Sequence, residues 1–332
     1  MNVQTIRWGI IGTGRIARAF AYGLKFTKNG KLCAIASRRH ESAKDFAQEW
    51  DIPFVFGSYR DLAESTDIDA VYIATPHSSH AENSILCMQN GKAVLCEKPL
   101  AVNAREVESM IKVSKETNSL LMEGMWSRFP PLMTVLRKWL ESGRLGDIRT
   151  LHADFGFLPK NKDPNGRLFN PSLAGGSLLD IGVYPVSLAS MIMGKPTEIR
   201  TLANIGKTGV DEQAGWIFGY QNGALAVLLS SLECETRQEA FIAGTKGSVR
   251  IYKQCWKPQK MTFMETNGTE TETVDMPFEG NGFNYEAESF GNLLLEGKKE
   301  SPIMPLKESL EIMRQMDQIR KEWNLVYPMD SQ

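Results

Sequence analysis

Two short stretches of this chain carry residues that could do chemistry. The first is Glu97-Lys98-Pro99, which follows the apolar run Ala93–Cys96. Such a run is what a buried parallel strand shows, and the proline ends the ladder and biases Lys98 toward an extended backbone. Ligands of open parallel sheets gather at the carboxyl ends of strands, so a lysine fixed there is a candidate for catalysis. A plain surface pair between Glu97 and Lys98 is the alternative. The second stretch is Gly175-Gly176-Ser177-Leu178-Leu179-Asp180-Ile181-Gly182-Val183-Tyr184. Asp180 and Tyr184 stand at i and i+4, which on a helix puts an acid and a phenol on one face. Gly175, Gly176 and Gly182 remove side chains where a backbone or ligand must come close. A purely structural Asp–Tyr pair is the alternative, and the glycines favour a site.

Both stretches need elements to hold them. Ile6–Ile11 is a compact strand signal, followed at once by Gly12-Thr13-Gly14-Arg15-Ile16-Ala17 and a helical pattern in Ile16, Phe20 and Leu24. This is G-x-G-x-x-A in the strand–turn–helix setting of a dinucleotide site. Gly12 permits the turn, Gly14 admits the pyrophosphate, and Ala17 lets helix and strand pack closely. The phosphates would rest on the helix N-terminus beside Thr13, Gly14, Arg15 and Ile16. The next strand, Lys31–Ala36, ends in Ser37-Arg38-Arg39. An acid here would bind the ribose 2′-hydroxyl of NAD; a hydroxyl and two guanidiniums instead suit a 2′-phosphate. NADP(H) is therefore expected ahead of NAD(H), with a solvated helix start as the plainer reading. Further strands at Phe54–Phe56 and Ala70–Ala74 follow, the latter running into Thr75-Pro76-His77-Ser78-Ser79-His80. Thr75, Pro76 and His80 should line the cofactor cleft with Glu97 and Lys98, although a capping or structural role for His80 is equally open. A helix from Asn103 to Glu116, with Asn103 as cap and Glu106 at the reciprocal position, precedes the strand Leu120–Glu123. Strand and helix alternate throughout, the signature of a doubly wound α/β sheet.

Beyond Trp126 the pattern changes. After a helix from Leu132 to Leu140, strand-like runs recur at 148–157, 198–205, 214–220, 224–233, 238–243, 248–252 and 261–265. Gln221-Asn222-Gly223 and Thr245-Lys246-Gly247 supply hairpin turns. This predicts an α+β second domain with a large, mostly antiparallel sheet. The expected division is residues 1–124 for nucleotide binding and 125–332 for substrate and assembly, the last helices packing back on the first domain. An open sheet face is usually covered by another subunit, so a homodimer or homotetramer is expected.

Composition narrows the classes. The 332 residues are 42% hydrophobic, with 38 basic against 39 acidic side chains, which argues against a nucleic-acid partner held by bulk charge. No membrane span and no signal-peptide layout is read, so a cytoplasmic protein is expected. Five scattered cysteines without C-x-x-C and four histidines without ligand spacing predict neither disulfides nor a bound metal.

Gly12-x-Gly14-x-x-Ala17, Glu97-Lys98-Pro99 and Gly175-Gly176-x-x-x-Asp180-x-Gly182-x-Tyr184, in this order, resemble the glucose–fructose oxidoreductase / inositol dehydrogenase / MocA family across essentially the whole chain. Met122–Phe129 and Arg167-Leu168-Phe169 are similar to its dimeric dihydrodiol dehydrogenase and NADP-dependent D-xylose dehydrogenase branch. Much of the family has histidine where Tyr184 stands, and that branch has tyrosine. The resemblance implies a Rossmann domain, an open-faced sheet domain, and a nicotinamide lying between Lys98 and the glycine-motif helix. It implies hydride transfer between NAD(P) and a carbinol carbon of a sugar, polyol or cyclic trans-diol. Loss of hydride requires loss of the hydroxyl proton, and a tyrosine, with an ordinary pKa of about 10, serves as base near neutrality only when a cation assists it. Tyr184 is then the acid/base, Lys98 its electrostatic partner, and Asp180 a substrate or network contact. Trp126, Arg128, Phe155, Arg167 and Tyr285 are weaker candidates for the pocket wall, with core packing the expected role of at least two of them. Two rivals remain: a nucleotide-sensing regulator on the same fold, which would have no use for Lys98, Asp180 and Tyr184 together, and a reductase of keto- or anhydro-sugars.

Overall fold

A computed structural model of the protein describes residues 5–331. The chain divides into two compact units, one holding residues up to Phe129 with Glu279–Leu310, the other Pro130–Phe278 and the chain from Glu311.

In the first unit, strands β1 (Ile6–Ile11), β2 (Gly30–Ala36), β3 (Phe54–Phe56), β4 (Ala70–Ile73), β5 (Ala93–Glu97) and β6 (Leu121–Gly124) form one sheet. Between them run helices α1 (Arg15–Leu24), α2 (His40–Trp50), α3 (Tyr59–Glu64), α4 (His80–Gln89) and α5 (Ala104–Glu116). Every strand pair is parallel, in the order β3-β2-β1-β4-β5-β6. The order reverses between β1 and β4, and a crevice for ligands opens at such a switch point. The apolar runs of β4 and β5 are buried throughout, as a sheet covered on both faces requires. Phe20 of α1 stacks on Tyr72 of β4 at 3.7 Å, a pair that adds about 0.5–1.5 kcal/mol to simple burial. Asn103 caps α5 by accepting from Glu106 N at 2.9 Å, and the Glu106 carboxylate accepts in return from Val102 N at 3.1 Å.

In the second unit, α6 (Pro131–Glu141) precedes β7 (Ile148–Gly156), and α7 (Val183–Met193) precedes β8 (Glu198–Ile205), β9 (Asp211–Gly219) and β10 (Leu225–Ser231). Then follow β11 (Ala240–Gly244), β12 (Gly247–Ile251), β13 (Lys260–Glu265) and β14 (Glu270–Asp275). Helix α8 (Phe283–Leu295) belongs to the first unit, and α9 (Leu306–Glu322) contributes to both. The eight strands pair in the order β14-β13-β12-β11-β7-β10-β9-β8, antiparallel except for β7 with β10. One sheet face is open. Ile217 lies opposite Val227, which neighbours His152, itself opposite Phe241; Ile217, Val227 and Phe241 are all exposed. Leu202 and Leu225, further along the same sheet, are exposed too. β14 was not expected: its sequence, Glu-Thr-Glu-Thr-Val-Asp, has no apolar alternation to announce an edge strand. Pro171–Met193 is the one described stretch long and apolar enough to cross a membrane, against the expectation that none exists, and most of it is buried inside the protein.

Candidate active site

The turn after β1 has the shape that dinucleotide binding needs. Gly12 takes φ +108°, and a Cβ there would lie 2.7 Å from the Ala74 carbonyl oxygen, so both conformation and space demand glycine. A Cβ on Gly14 would meet nothing within 4 Å, which leaves room where the motif should receive a pyrophosphate. Gly14 opens α1 with no side-chain cap and no acid in the first turn, so the helix end is suited to an anion. Thr13, Arg15 and Ile16 occupy this turn and the first residues of α1. At the end of β2, Ser37 is nearly buried and its hydroxyl accepts from Arg39 N at 3.3 Å, while Arg38 and Arg39 are exposed. A 2′-phosphate fits this donor set.

At the ends of β4 and β5 a buried network holds the lysine. The Tyr72 phenol donates to the Glu97 carboxylate, whose other oxygen accepts from Lys98 N at 3.2 Å. The Lys98–Pro99 bond is cis. The fully buried ring of His80 sits between two carbonyl oxygens, with Nδ1 2.8 Å from Pro99 and Nε2 3.0 Å from Thr75. Burial pulls its pKa down to about 4 although both carbonyls favour the charged ring. His80 thus ties the Thr75-Pro76 turn to the Lys98–Pro99 loop. Glu286 of α8, which the sequence did not single out, is wholly buried, and burial, then the charge of Glu97, push its carboxyl well above the usual range.

Three expected wall residues belong to this first unit. Trp126 stacks on Phe283 at 4.8 Å, and the half-buried Tyr285 accepts from Glu279 N at 3.0 Å. Arg128 takes a packing role. Its side chain is buried and ion-paired with Glu308 at 2.7 Å, and it donates to the Ile303 carbonyl at 3.4 Å, so it ties the unit together instead of presenting a free guanidinium.

The glycine motif lies in the second unit. Leu178–Gly182 is a π-helical turn that runs into α7, instead of the plain α-helix that the i, i+4 spacing suggested. Such turns recur at functional sites because they re-aim side chains. Asp180 is nearly buried, and its Oδ1 accepts from Arg167 Nη1 at 2.6 Å. Tyr184 is half-buried against Phe155, with ring centroids 5.7 Å apart. Phe155 in turn stacks on Trp256 at 3.5 Å, and Phe157, Leu168, Phe169 and Ile181 complete an apolar cluster. The sequence named Phe155 and Arg167 but not Trp256, which lies in a loop without periodic pattern. The second unit therefore sets a phenol beside an aromatic wall and also carries the Arg167–Asp180 ion pair. No group of His, Cys, Asp and Glu that could hold a metal occurs among the described residues.

A family model described as "Oxidoreductase family, NAD-binding Rossmann fold" matches residues 6–125, and the GFO/IDH/MocA C-terminal domain matches residues 133–250. The chain belongs to the GFO/IDH/MocA oxidoreductase family. The chain is similar to trans-1,2-dihydrobenzene-1,2-diol dehydrogenase of Xenopus laevis, 38% identical over 97% of this chain and 99% of the relative. The human enzyme of that name is 36% identical over 98% of this chain and 99% of its own. Among solved structures, a 3-ketoreductase from Actinomadura kijaniata with TDP-benzene and NADP is 27% identical, with a TM-score of 0.82 over 96% of this chain and 97% of that one. An aldose-aldose oxidoreductase from Caulobacter crescentus with glycerol is 26% identical, with a TM-score of 0.87 over 96% and 97%. With these relatives, the protein is an NAD(P)-dependent oxidoreductase acting on CH–OH groups.

Proposed function

We propose that this protein is an NADP-dependent dehydrogenase of cyclic trans-diols. The observation that carries the proposal is the wall of Phe155 and Trp256 beside Tyr184, with the Arg167–Asp180 pair on the same unit. A flat, largely apolar ring bearing two hydroxyls matches that mixture. The name of the Xenopus and human relatives supports the same substrate class. A sensor without chemistry would have no use for Lys98, Asp180 and Tyr184 together.

In this reading, a bound nicotinamide would supply the acceptor for the hydride of the carbinol carbon. Tyr184 accepts the proton of the attached hydroxyl, and the bond between carbon and oxygen becomes a carbonyl. Lys98 supplies the positive charge that makes a phenolate attainable near neutrality, and Asp180, held by Arg167, orients the diol or passes the proton on. The same groups run the reverse reduction of a ketone. Gly12, Thr13, Gly14, Arg15 and Ile16 would receive the pyrophosphate, Ser37, Arg38 and Arg39 the 2′-phosphate, and Thr75, Pro76 and His80 would line the path toward Glu97 and Lys98. Trp126 and Tyr285 are proposed as further wall. The open sheet face, with exposed Leu202, Ile217, Leu225, Val227 and Phe241, would be covered by a second copy in a homodimer or homotetramer. The free cysteines suit a reducing compartment such as the cytoplasm.

Fluorescence titration with NADPH and NADH, read through the seven tryptophans, tests the cofactor assignment. Tighter NADPH binding that Arg38→Asp weakens supports it. A preference for NADH in the unaltered protein refutes the phosphate reading of Ser37-Arg38-Arg39.

A further inference from the structure

The start of the glycine-motif helix is held by side chains that the proposed chemistry does not use. Asp211, the first residue of β9, is fully buried, and its Oδ2 accepts from Leu178 N at 2.7 Å and from Ser177 Oγ at 2.8 Å. Ser177 Oγ also lies 2.8 Å from Ser230 Oγ on β10. A helix start leaves backbone N–H groups without partners, and a nearby serine usually serves them. Here the π turn has no cap from its own side chains, and a carboxylate from a strand far along the chain takes that part.

The residues before the turn are fixed from the other side. Tyr327, 1% exposed, donates its phenolic hydrogen to the Gly175 carbonyl. Its own N–H donates to Asp330 at 2.8 Å; Arg320 holds Asp330 and Asp317 at 2.7 Å each and lies 4.9 Å over the Tyr327 ring. Gly176, between the two anchors, takes φ +118°; a Cβ there would run into the Asp211 carboxylate and stand 3.2 Å from the Tyr327 hydroxyl. Burial raises the Asp211 carboxyl to about 6, so desolvating it is costly, and its place is one that an uncharged cap could have filled.

A π turn is a rare single turn inserted in an α-helix, and here its start is held by no cap of its own, so its course depends on what grips its ends. Asp180 is two residues beyond Leu178, and Tyr184 is the second residue of α7. A small rotation of residues 175–178 would therefore swing both side chains. We propose that Asp211 and Tyr327 are positioning residues for the reaction, fixing the Gly175–Leu178 turn and with it the directions of Asp180 and Tyr184. This rests on the reading of Tyr184 as acid/base.

The test uses the full-length protein with NADP and racemic trans-1,2-dihydrobenzene-1,2-diol. Tyr327→Phe keeps the ring and removes one hydrogen bond. It should lower kcat about tenfold while KM and NADPH affinity stay within about threefold. In the Tyr184→Phe background it should cause no further loss, because a residue acting through Tyr184 has nothing left to position. Asp211→Asn should behave alike, and if it fails to fold, Tyr327→Phe decides alone. A kcat within twofold of the unaltered protein, or an equal fractional loss in both backgrounds, overturns the positioning role. Near-native turnover in Tyr184→Phe counts against the acid/base reading instead, and is read in the same assay without reference to Tyr327.

Discussion

Arg167 Nη1 lies 2.6 Å from Asp180 Oδ1, joining a half-exposed guanidinium to a carboxylate that is only 7% exposed. The two residues are thirteen apart and sit on different segments, a loop and a π turn. The pair fixes the orientation of Asp180 while the guanidinium stays half-exposed. Removing the arginine takes a charged partner from a nearly buried carboxylate. Arg167→Met should raise KM for the diol or lower kcat by about tenfold in kcat/KM, of the order expected for a charged hydrogen bond partly screened by water. NADPH affinity should not change. Steady-state kinetics on the variant check both statements.

Gly12 and Gly14 should respond oppositely to the same substitution. Gly12→Ala meets both a positive φ and a backbone carbonyl, so thermal unfolding should reveal a loss of about 1–3 kcal/mol. Gly14→Ala meets nothing in the protein and takes φ −75°, so its unfolding temperature should match that of the unaltered chain. Its methyl group fills the space proposed for the pyrophosphate, and NADPH affinity should fall at least about tenfold. Undiminished NADPH binding by Gly14→Ala would remove the phosphate from this turn.

His80 offers a pH prediction with a definite sign. Burial lowers its folded pKa from 6.5 to about 4, so the unfolded chain takes up the proton first. Its contribution to stability is complete above about 6.5 and is lost as the pH falls through about 4. Nitrogen-15 spectra of labelled histidine should show one ring still neutral near pH 5. A His80 resonance titrating near 6.5 would contradict the buried, neutral ring.

The exposed row Ile217, Val227 and Phe241 predicts the assembly. Sedimentation should find a dimer or tetramer at micromolar concentration, and Val227→Glu should shift it to monomer without loss of the folded circular-dichroism signal. A stable monomer before any substitution would refute the covered-face reading.

Much of this architecture could be read in the chain because its signals are local. The strand–glycine–helix start, the buried run before Glu97 and the hairpin turns each follow from neighbouring residues. What escaped depends on distant partners. Asp211 looks like one more acid at a strand start, and only the fold brings it to Leu178 N. Trp256 lies in a loop, and its stacking on Phe155 joins residues about a hundred positions apart. The spacing of Asp180 and Tyr184 suggested an α-helix because the i, i+4 rule presumes α geometry, whereas crowding of Gly182 by Trp216 and of Gly175 by the Leu168 carbonyl accompanies a π turn. The parallel pairing of β7 with β10 inside an antiparallel sheet leaves no mark in either strand's sequence.

Handling of the hydroxyl proton by Tyr184 and Lys98 is open to a single kinetic comparison. Turnover of trans-1,2-dihydrobenzene-1,2-diol with NADP should be measured for Tyr184→Phe and Lys98→Met, with NADPH affinity determined on the same preparations. Each variant should lose at least about a hundredfold in kcat, the scale of positioned acid–base catalysis, with NADPH affinity largely kept. Near-native turnover in both variants would contradict that role.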